Sequence, residues 1–348
     1  MQRAALSIVV APDSFGDTLT AAEATRRIAA GWSSARPADH LHLAPQSDGG
    51  PGFVDTLATV GGQVRTITVR GPLDEPTTAR WLWDPVEATA YIESAQACGL
   101  HLLVPDPGTA WQATTAGVGE LIEGALTARP RRIVVGLGGS ATTDGGRAMI
   151  DQLGGPAEAR RRLQGIELIA ATDVANPLCG AGGAASVFGP QKGADAHTVE
   201  ALDARLAQWA LVLDALAAAP VAELPGAGAA GGLGAALLAL GGHVIPGAAI
   251  VAERTGLAAA VGRADLIVTG EGKLDHQTLQ GKVIAALADR GVPVVVLAGQ
   301  VVLSAEECAA AGISSAWSLV DEAGSVQAAM SEAGAHLQAL ARKVAAGW

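Results

Sequence analysis

The fold class is decided by one stretch, Arg132-Ile-Val-Val-Gly-Leu-Gly-Gly-Ser-Ala-Thr-Thr-Asp-Gly-Gly146. It opens on a β-branched apolar run and continues as a glycine-rich segment that contains Ser140 and Asp144. A short apolar strand that runs directly into such a segment is typical of parallel sheets, where ligands bind beyond the carboxyl ends of the strands. The stretch therefore predicts a strand over 132–136 and a loop that binds phosphate or substrate, with a tight surface turn as the alternative.

Short apolar runs alternate with Ala-rich helical patterns along the rest of the chain. Helix starts are marked by capping boxes at Thr20–Glu23 and Ser304–Glu307, and an apolar stripe from Val199 to Leu216 predicts the longest helix. This alternation predicts an α/β protein with mainly parallel sheets. Strands are predicted over Leu6–Ala11, Leu41–Pro45, Gln63–Arg70, Ala79–Trp83, Thr89–Ile92, Arg132–Gly136, Glu167–Thr172, Ala185–Phe188, Asp265–Thr269, Pro293–Ala298 and Ser315–Ser318.

Both ends of the chain have regular strand–helix units, whereas the middle is richer in glycine and less regular. We therefore predict a discontinuous domain formed by residues 1–65 and 265–348, with a second α/β domain, 66–264, inserted between them.

Composition excludes several classes of protein. The 348 residues carry a net charge of −11 and no dense basic run, so non-specific nucleic-acid binding is not expected. Three widely spaced cysteines form no zinc or disulfide pattern, which favours a cytoplasmic location. Residues 224–252 are uncharged, but Pro225, Pro246 and many glycines argue against a membrane span. They predict a buried glycine-rich loop, a short helix and a second loop. No targeting segment is indicated, and the oligomeric state stays open.

Five predicted strands run into acids and glycines. Acids near glycine-rich loops suit Mg²⁺-assisted phosphoryl transfer, because backbone amides bind phosphate oxygens and carboxylates hold the ion or accept a proton. Lys192, Lys273 and Lys282 are the candidate balancing cations. The five strand ends are Asp13-Ser14, Ser47-Asp-Gly-Gly50, Gly136–Gly146, Asp173 with Asn176, and Gly270-Glu-Gly-Lys-Leu-Asp275.

Other chemistries find less support. The chain has no G-x-x-x-x-G-K-[ST] motif and no G-x-S-x-G motif, so neither a P-loop NTPase nor a serine hydrolase is expected. Gly226-Ala-Gly-Ala-Ala-Gly231 matches a dinucleotide fingerprint, but it does not follow a predicted strand. A nicotinamide oxidoreductase therefore remains only an alternative, which NADH binding would reveal.

Taken in order, these motifs resemble the type I glycerate kinase family over nearly the whole chain. The resemblance implies ATP- and Mg²⁺-dependent phosphorylation of D-glycerate, usually to 2-phosphoglycerate. It also implies a flavodoxin-like doubly wound parallel sheet made from both chain ends, an inserted mixed α/β domain and an active site in the cleft between them. The motifs are Val10-Ala-Pro-Asp-Ser-Phe15, Ser47–Gly50, Gly136–Gly146, Asp173 with Asn176–Gly180, Phe188-Gly-Pro-Gln-Lys-Gly193, Pro225–Gly234, and Thr269–Asp275 with Gln277, Thr278, Gly281 and Lys282.

The family resemblance, with the chemistry above, assigns roles to matching positions. Asp48, Asp144, Asp173 and Lys282 are expected to be catalytic, with Asp144 and Asp173 holding Mg²⁺ and Asp144 directed into the cleft. Which carboxylate is the general base stays open. Substrate or phosphate binding is expected of Ser14, Gly49, Gly50, Gly138, Gly139, Ser140, Gly145, Gly146, Asn176, Lys192, Gly270, Glu271 and Thr278.

The chain also departs from the family pattern. Gly16 stands where the family carries a lysine, Pro51 where it carries a glutamate, and Thr143 where it carries an asparagine. The chain is also shorter than the family norm between Gly146 and Glu167. A missing cation and a missing anion predict weak activity toward D-glycerate or a preference for a related hydroxy acid. The alternative is a catalytically weakened member that binds nucleotide or a metabolite as a regulator.

Overall fold

The computed structural model describes residues 4–16, 18–276, 278 and 291–348. The chain forms two compact units, the first from residues 1–47 and 251–348 and the second from 48–250. Both junctions come earlier in the chain than the sequence prediction placed them. Helix Phe53–Ala58 packs on strands of the second unit, whereas Leu257 and Val261 join the core of the first.

The described strands, numbered in chain order, are β1 (Ser7–Val10), β2 (His40–Leu43), β3 (Gln63–Arg70), β4 (Pro76–Asp84), β5 (Thr89–Glu93), β6 (Arg132–Gly136), β7 (Glu167–Ala171), β8 (His243–Ile245), β9 (Leu266–Thr269), β10 (Lys273–Leu274), β11 (Val294–Ala298), β12 (Gln300–Val301) and β13 (Ser315–Ser318).

The described helices are α1 (Ala21–Ala35), α2 (Phe53–Ala58), α3 (Ala95–Cys98), α4 (Pro107–Gln112), α5 (Ala116–Leu126), α6 (Arg147–Gln152), α7 (Pro156–Arg162), α8 (Ala184–Phe188), α9 (Ala196–Ala217), α10 (Ala229–Ala239), α11 (Gly247–Arg254), α12 (Leu257–Val261), α13 (Ala305–Ala310), α14 (Leu319–Ala323), α15 (Val326–Ser331) and α16 (Ala333–Gly347). Short 3₁₀ turns lie at Leu100–Leu102 and Pro190–Lys192. Among the described helices, none is both long and apolar enough to span a membrane.

The first unit contains a five-stranded sheet in the order β13-β11-β9-β1-β2, with every pair parallel. This is the flavodoxin-like order, and both chain ends contribute to it. Apolar cores cover both faces, one around Ile28, Trp32 and Leu337 and the other around Val9 and Ile267. The predicted doubly wound parallel sheet is confirmed.

The second unit contains a six-stranded mixed sheet in the order β3-β4-β5-β6-β7-β8. The pairs β3–β4 and β4–β5 are antiparallel, and the remaining pairs are parallel. Since β5, β6, β7 and β8 run in the same direction, the segments that follow them leave from one edge of the sheet. The predicted mixed α/β fold of the inserted part is confirmed, and this edge positions the candidate site.

Local sequence signals explain most of these elements. The Thr20 and Ser304 side chains each accept a hydrogen bond from a backbone amide in the first turn of their helix, as the capping boxes predicted. Two predictions for the middle of the chain are wrong. Ala185–Phe188 lies in helix α8 rather than in a strand, because so short an apolar run does not distinguish the two; the helix buries Ala184 and Ala185 in the core. Strand β8 was expected to be loop, since its three residues are too few to show a period.

Candidate functional site

Two glycine-rich loops of the second unit pack backbone against backbone. The Gly138 amide donates to the Gly49 carbonyl oxygen at 3.1 Å. A Cβ built on Gly138 would lie 2.4 Å from the Gly50 Cα, and one built on Gly136 would lie 2.6 Å from the Gly49 oxygen. Gly136 and Gly138 are therefore required because the two loops approach closely. The sequence suggested phosphate or substrate binding, or a tight surface turn, for these glycines but did not reveal this contact between the two loops.

Asp48 and Asp173 are exposed carboxylates on either side of Gly247: a Cβ built on Gly247 would lie 2.1 Å from the Asp48 carbonyl oxygen, and the Gly247 amide bonds the Asp173 carboxyl. Asp48 Oδ1 accepts the Gly50 amide at 3.0 Å, which holds the side chain against the stacked loops. Partial burial of its carboxyl and the charge of Asp48 raise the pKa of Asp173, and the backbone amides of Gly247 and Ala248 partly offset that rise. Two carboxylates that repel each other in solvent favour a cation or a shared proton between them.

The other glycines of the 136–146 segment also meet protein atoms. A Cβ on Gly139 would lie 2.7 Å from the Pro51 ring, and one on Gly145 would lie 2.5 Å from the Trp209 indole. Gly146 is similarly close to Ala236. All three glycines have positive φ angles. The segment is thus a tightly packed turn, and its binding of phosphate or substrate stays a prediction.

Asp144 occupies a different environment from the exposed pair. Its Oδ2 atom accepts from the Thr115 amide at 3.0 Å, from the Thr115 hydroxyl at 2.8 Å and from the Ala148 amide at 3.3 Å. Its Oδ1 atom accepts the Gly146 amide at 3.1 Å. Four internal donors match the capacity of a carboxylate. Asp144 therefore joins α5 to the start of α6, and the expectation that it points at a reacting group stays a prediction that this geometry does not favour.

Lys192 lies beneath the same segment and is buried. Its Nζ donates to the Thr142 carbonyl at 2.6 Å and lies 3.3 Å from the Ser140 hydroxyl. Among the described residues no carboxylate lies within 4.0 Å of this amine. Desolvation lowers the pKa of Lys192 to about 8, while the charge of Asp144 opposes the shift. A buried amine that is bonded only to neutral oxygens is a source of positive charge for an anion at this loop.

Further side chains bind the carbonyl oxygens of the segment. Arg205 donates to the Thr143 carbonyl at 2.8 Å, and the Trp209 indole donates to the Gly145 carbonyl at 2.9 Å. With Lys192 on Thr142, three of the four carbonyls of residues 142–145 are engaged by side-chain donors. Sequence reasoning missed Arg205 and Trp209, because both lie on α9, whose apolar stripe suggested only a core helix.

The first unit holds the remaining candidates. The Ser14 amide donates to the side chain of Asp13 at 2.6 Å, and the Asp13 amide donates to the Gly270 carbonyl at 2.8 Å. Glu271 is buried, and the Thr278 hydroxyl accepts the Asp275 amide at 3.2 Å. Ser14, Gly270 and Glu271 thus belong to two adjacent strand ends of this unit.

Three other sequence predictions have distinct outcomes. Lys282 lies outside the described residues. The Asn176 side chain donates to the Gly182 carbonyl at 2.8 Å, so it stabilises its own loop. Gly16 has a φ of +55°, and a Cβ there would meet no atom within 4 Å. The position therefore has space for a longer side chain, but its left-handed backbone conformation is one that residues other than glycine rarely adopt.

The exposed pair has the right chemistry for a hard cation. Within the described ranges no group of three or more His, Cys, Asp or Glu residues is arranged to hold a metal. Mg²⁺ does not require such a cage, since it commonly uses one or two carboxylates and completes its shell with water and phosphate oxygens. The carboxylates of Asp48 and Asp173 fit that donor set.

Comparison with known proteins gives one consistent result. A family model described as the glycerate kinase family matches residues 8–159 and 155–348. A glycerate kinase of Bacillus subtilis is 37% identical over 98% of this chain and 97% of its own length. A glycerate 2-kinase of Escherichia coli is 34% identical over 98% and 97%. An uncharacterised protein of Mycobacterium bovis is 53% identical over 99% of this chain and 92% of its own length.

A solved structure agrees with these sequence similarities. A crystal structure from Salmonella typhimurium, assigned as a glycerate kinase 2, superposes with a TM-score of 0.80 at 34% sequence identity. The match covers 99% of this chain and 98% of that chain.

Proposed function

The chain belongs to the glycerate kinase family, and we propose that it transfers the γ-phosphoryl group of ATP to D-glycerate, with 2-phosphoglycerate as the product. It is a phosphotransferase with an alcohol group as acceptor. The observation that carries the proposal is the exposed pair of Asp48 and Asp173 beside the stacked loops. Phosphoryl transfer needs positioning and charge stabilisation more than covalent chemistry, and this arrangement provides carboxylates beside a rigid loop.

Each carboxylate of the pair receives one role. Asp48 would hold Mg²⁺, which when bound neutralises phosphate charge. Asp173 accepts the proton of the attacking hydroxyl, because a carboxylate whose pKa is raised is a better base. The Gly247 and Ala248 amides hold the Asp173 side chain for that purpose.

The 136–146 segment and Lys192 supply positive charge. The Lys192 amine lies under the segment, and side-chain donors engage its carbonyl oxygens at Thr142, Thr143 and Gly145. An anion bound on the segment meets that positive charge in a partly desolvated setting, where it has a larger effect than in water. Asp144 contributes by fixing the segment through Thr115 and Gly146. Ser14, Glu271 and Thr278 remain proposed nucleotide- or substrate-binding residues.

A regulatory role is the second candidate, and the substitutions at Gly16 and Pro51 favour it. The Pro51 ring packs against Gly139, where the family's glutamate would present a charge. A substrate panel with Mg·ATP, followed by ³¹P NMR of the products, tests both candidates. We expect a new phosphomonoester signal with D-glycerate or a related hydroxy acid. ATP binding with no phosphorylated product from any hydroxy acid would favour the regulatory role.

A further inference from the structure

Glu93 ends strand β5 with a carboxyl group that the proposed chemistry does not use. Its side chain is buried, with 3% of the residue exposed. Within the described part of the chain it forms no ion pair with a basic group. Buried acids rarely lack a cation partner unless backbone amides replace it. The contacts of this carboxyl should therefore explain why it is there.

Those contacts lie at the start of helix α2. Glu93 Oε2 accepts the Val54 amide at 3.2 Å, and the Gly52 amide and the Gln96 side chain also contact the carboxyl. Gly52, at the N-cap position of α2, has a φ of 90° and provides no side-chain cap. Glu93 thus supplies from a neighbouring strand the cap that the helix lacks in its own sequence.

The capped segment directly follows the Asp48 loop. Only Pro51 separates the Gly49-Gly50 pair from Gly52. The Ser94 amide donates to the Gly136 carbonyl at 3.0 Å, and Glu93 is the register partner of Gly136. The strand end that carries Glu93 therefore holds both glycine-rich loops, one through α2 and the other through β6.

We propose that Glu93 is a positioning residue that fixes the Asp48 loop on the 136–138 segment. Its functional part rests on the proposed role of Asp48. Loss of the cap frees Gly52 and Val54, and the Asp48 side chain loses its fixed place beside Gly50. Displacements of about 1 Å in a catalytic arrangement commonly reduce the rate by about 100-fold.

The test compares Glu93→Ala, Glu93→Gln and Thr56→Val in the full chain. Glu93→Gln keeps an acceptor oxygen without the charge. Thr56→Val is the matched control, because the Thr56 hydroxyl is buried in the same helix and has no partner among the described residues. Amide hydrogen exchange across residues 52–57, Mn²⁺ binding followed by electron paramagnetic resonance, and steady-state kinetics are measured for each variant.

We expect Glu93→Ala to accelerate exchange across 52–57 by about tenfold, to weaken Mn²⁺ binding and to lower kcat by about 10- to 100-fold, with the KM for ATP little changed. Glu93→Gln should recover most of each property, and Thr56→Val should match the wild type. Should Glu93→Ala not fold, Glu93→Asp, whose shorter side chain loses the Val54 contact, takes its place.

Three results would overturn the proposal: unchanged exchange in Glu93→Ala, unchanged kcat in an active enzyme, or a Glu93→Gln variant as impaired as Glu93→Ala. The last would mean that the charge itself acts. If the proposed function is wrong, the wild-type protein itself will neither bind Mn²⁺ nor phosphorylate a hydroxy acid, which distinguishes this failure from failure of the positioning role. Unchanged exchange in Glu93→Ala would still disprove the cap in that case.

Discussion

Replacing Lys192 with methionine tests whether its burial serves the proposed function. The side chain keeps its length but loses the amine that donates to the Thr142 carbonyl. Burial lowers the pKa of Lys192 from 10.5 to about 8. A tenfold change in proton affinity corresponds to about 1.4 kcal/mol, so protonated Lys192 destabilises the folded state by about 3 kcal/mol.

The sign of the effect follows from proton binding. Between pH 8 and 10.5 the unfolded chain binds more protons at Lys192 than the folded chain does. The lysine contribution to the free energy of unfolding therefore rises with pH in that window, and the full penalty applies below pH 8. Relative to Lys192→Met, the free energy of unfolding of the wild type should rise by about 2 kcal/mol between pH 7 and pH 9.5.

Urea denaturation at both pH values, followed by tryptophan fluorescence, measures this gain. Lys343→Met is the matched control, because Lys343 is an exposed lysine paired with Glu322 and lies outside the buried segment. We also expect Lys192→Met to lower kcat/KM by about 10- to 100-fold, since it removes a charge-assisted interaction of about 1.5–3 kcal/mol. Parallel pH profiles for wild type and Lys192→Met, together with unchanged kinetics, would refute the reasoning.

Four further outcomes are expected. Asp173→Asn should reduce kcat by about 100-fold or more without loss of stability, because it removes both the proposed base and a repulsion with Asp48; near wild-type turnover would remove Asp173 from the chemistry. Asp48→Asn should raise the Mg²⁺ concentration that gives the half-maximal rate, as measured by titration. An unchanged value would show that Asp48 does not bind Mg²⁺. Asp144→Asn should lower the free energy of unfolding by about 1–3 kcal/mol, because the carboxylate accepts four hydrogen bonds. A variant that is fully stable but inactive would instead indicate that Asp144 takes part in the reaction. Gly16→Lys combined with Pro51→Glu should raise kcat/KM for D-glycerate in a coupled assay, and wild-type turnover already at about 1–100 s⁻¹ would show that neither charge is needed.

Apolar runs that end in glycine-rich segments were sufficient to predict the α/β architecture. Apolar runs such as Ile133–Gly136, followed by glycines, identified the parallel strands, and the Thr20 and Ser304 caps identified helix starts because those signals are local. The three-residue strand β8 and helix α8 were missed or misassigned, since their short apolar runs carry no distinguishing period.

The candidate site was predictable only in part. Asp48 and Asp173 could be proposed from the sequence because each follows a short apolar run at a predicted strand end, and their catalytic roles stay predictions. The environment of Asp144 was not predictable, because its main partner, Thr115, is distant in the sequence. For the same reason the contact of Glu93 could not be predicted, since its partner amide on Val54 lies 39 residues away in the sequence. Side-chain roles of this kind depend on tertiary contacts that motif spacing does not reveal.

The most direct test of the central claim is ADP release by the purified protein, measured by a coupled assay with Mg·ATP and D-glycerate. We predict ADP formation that requires both D-glycerate and Mg²⁺, that is weak compared with typical kinases and that is lost in Asp173→Asn. No D-glycerate-dependent ADP release, or equal release by wild type and Asp173→Asn, would contradict the account.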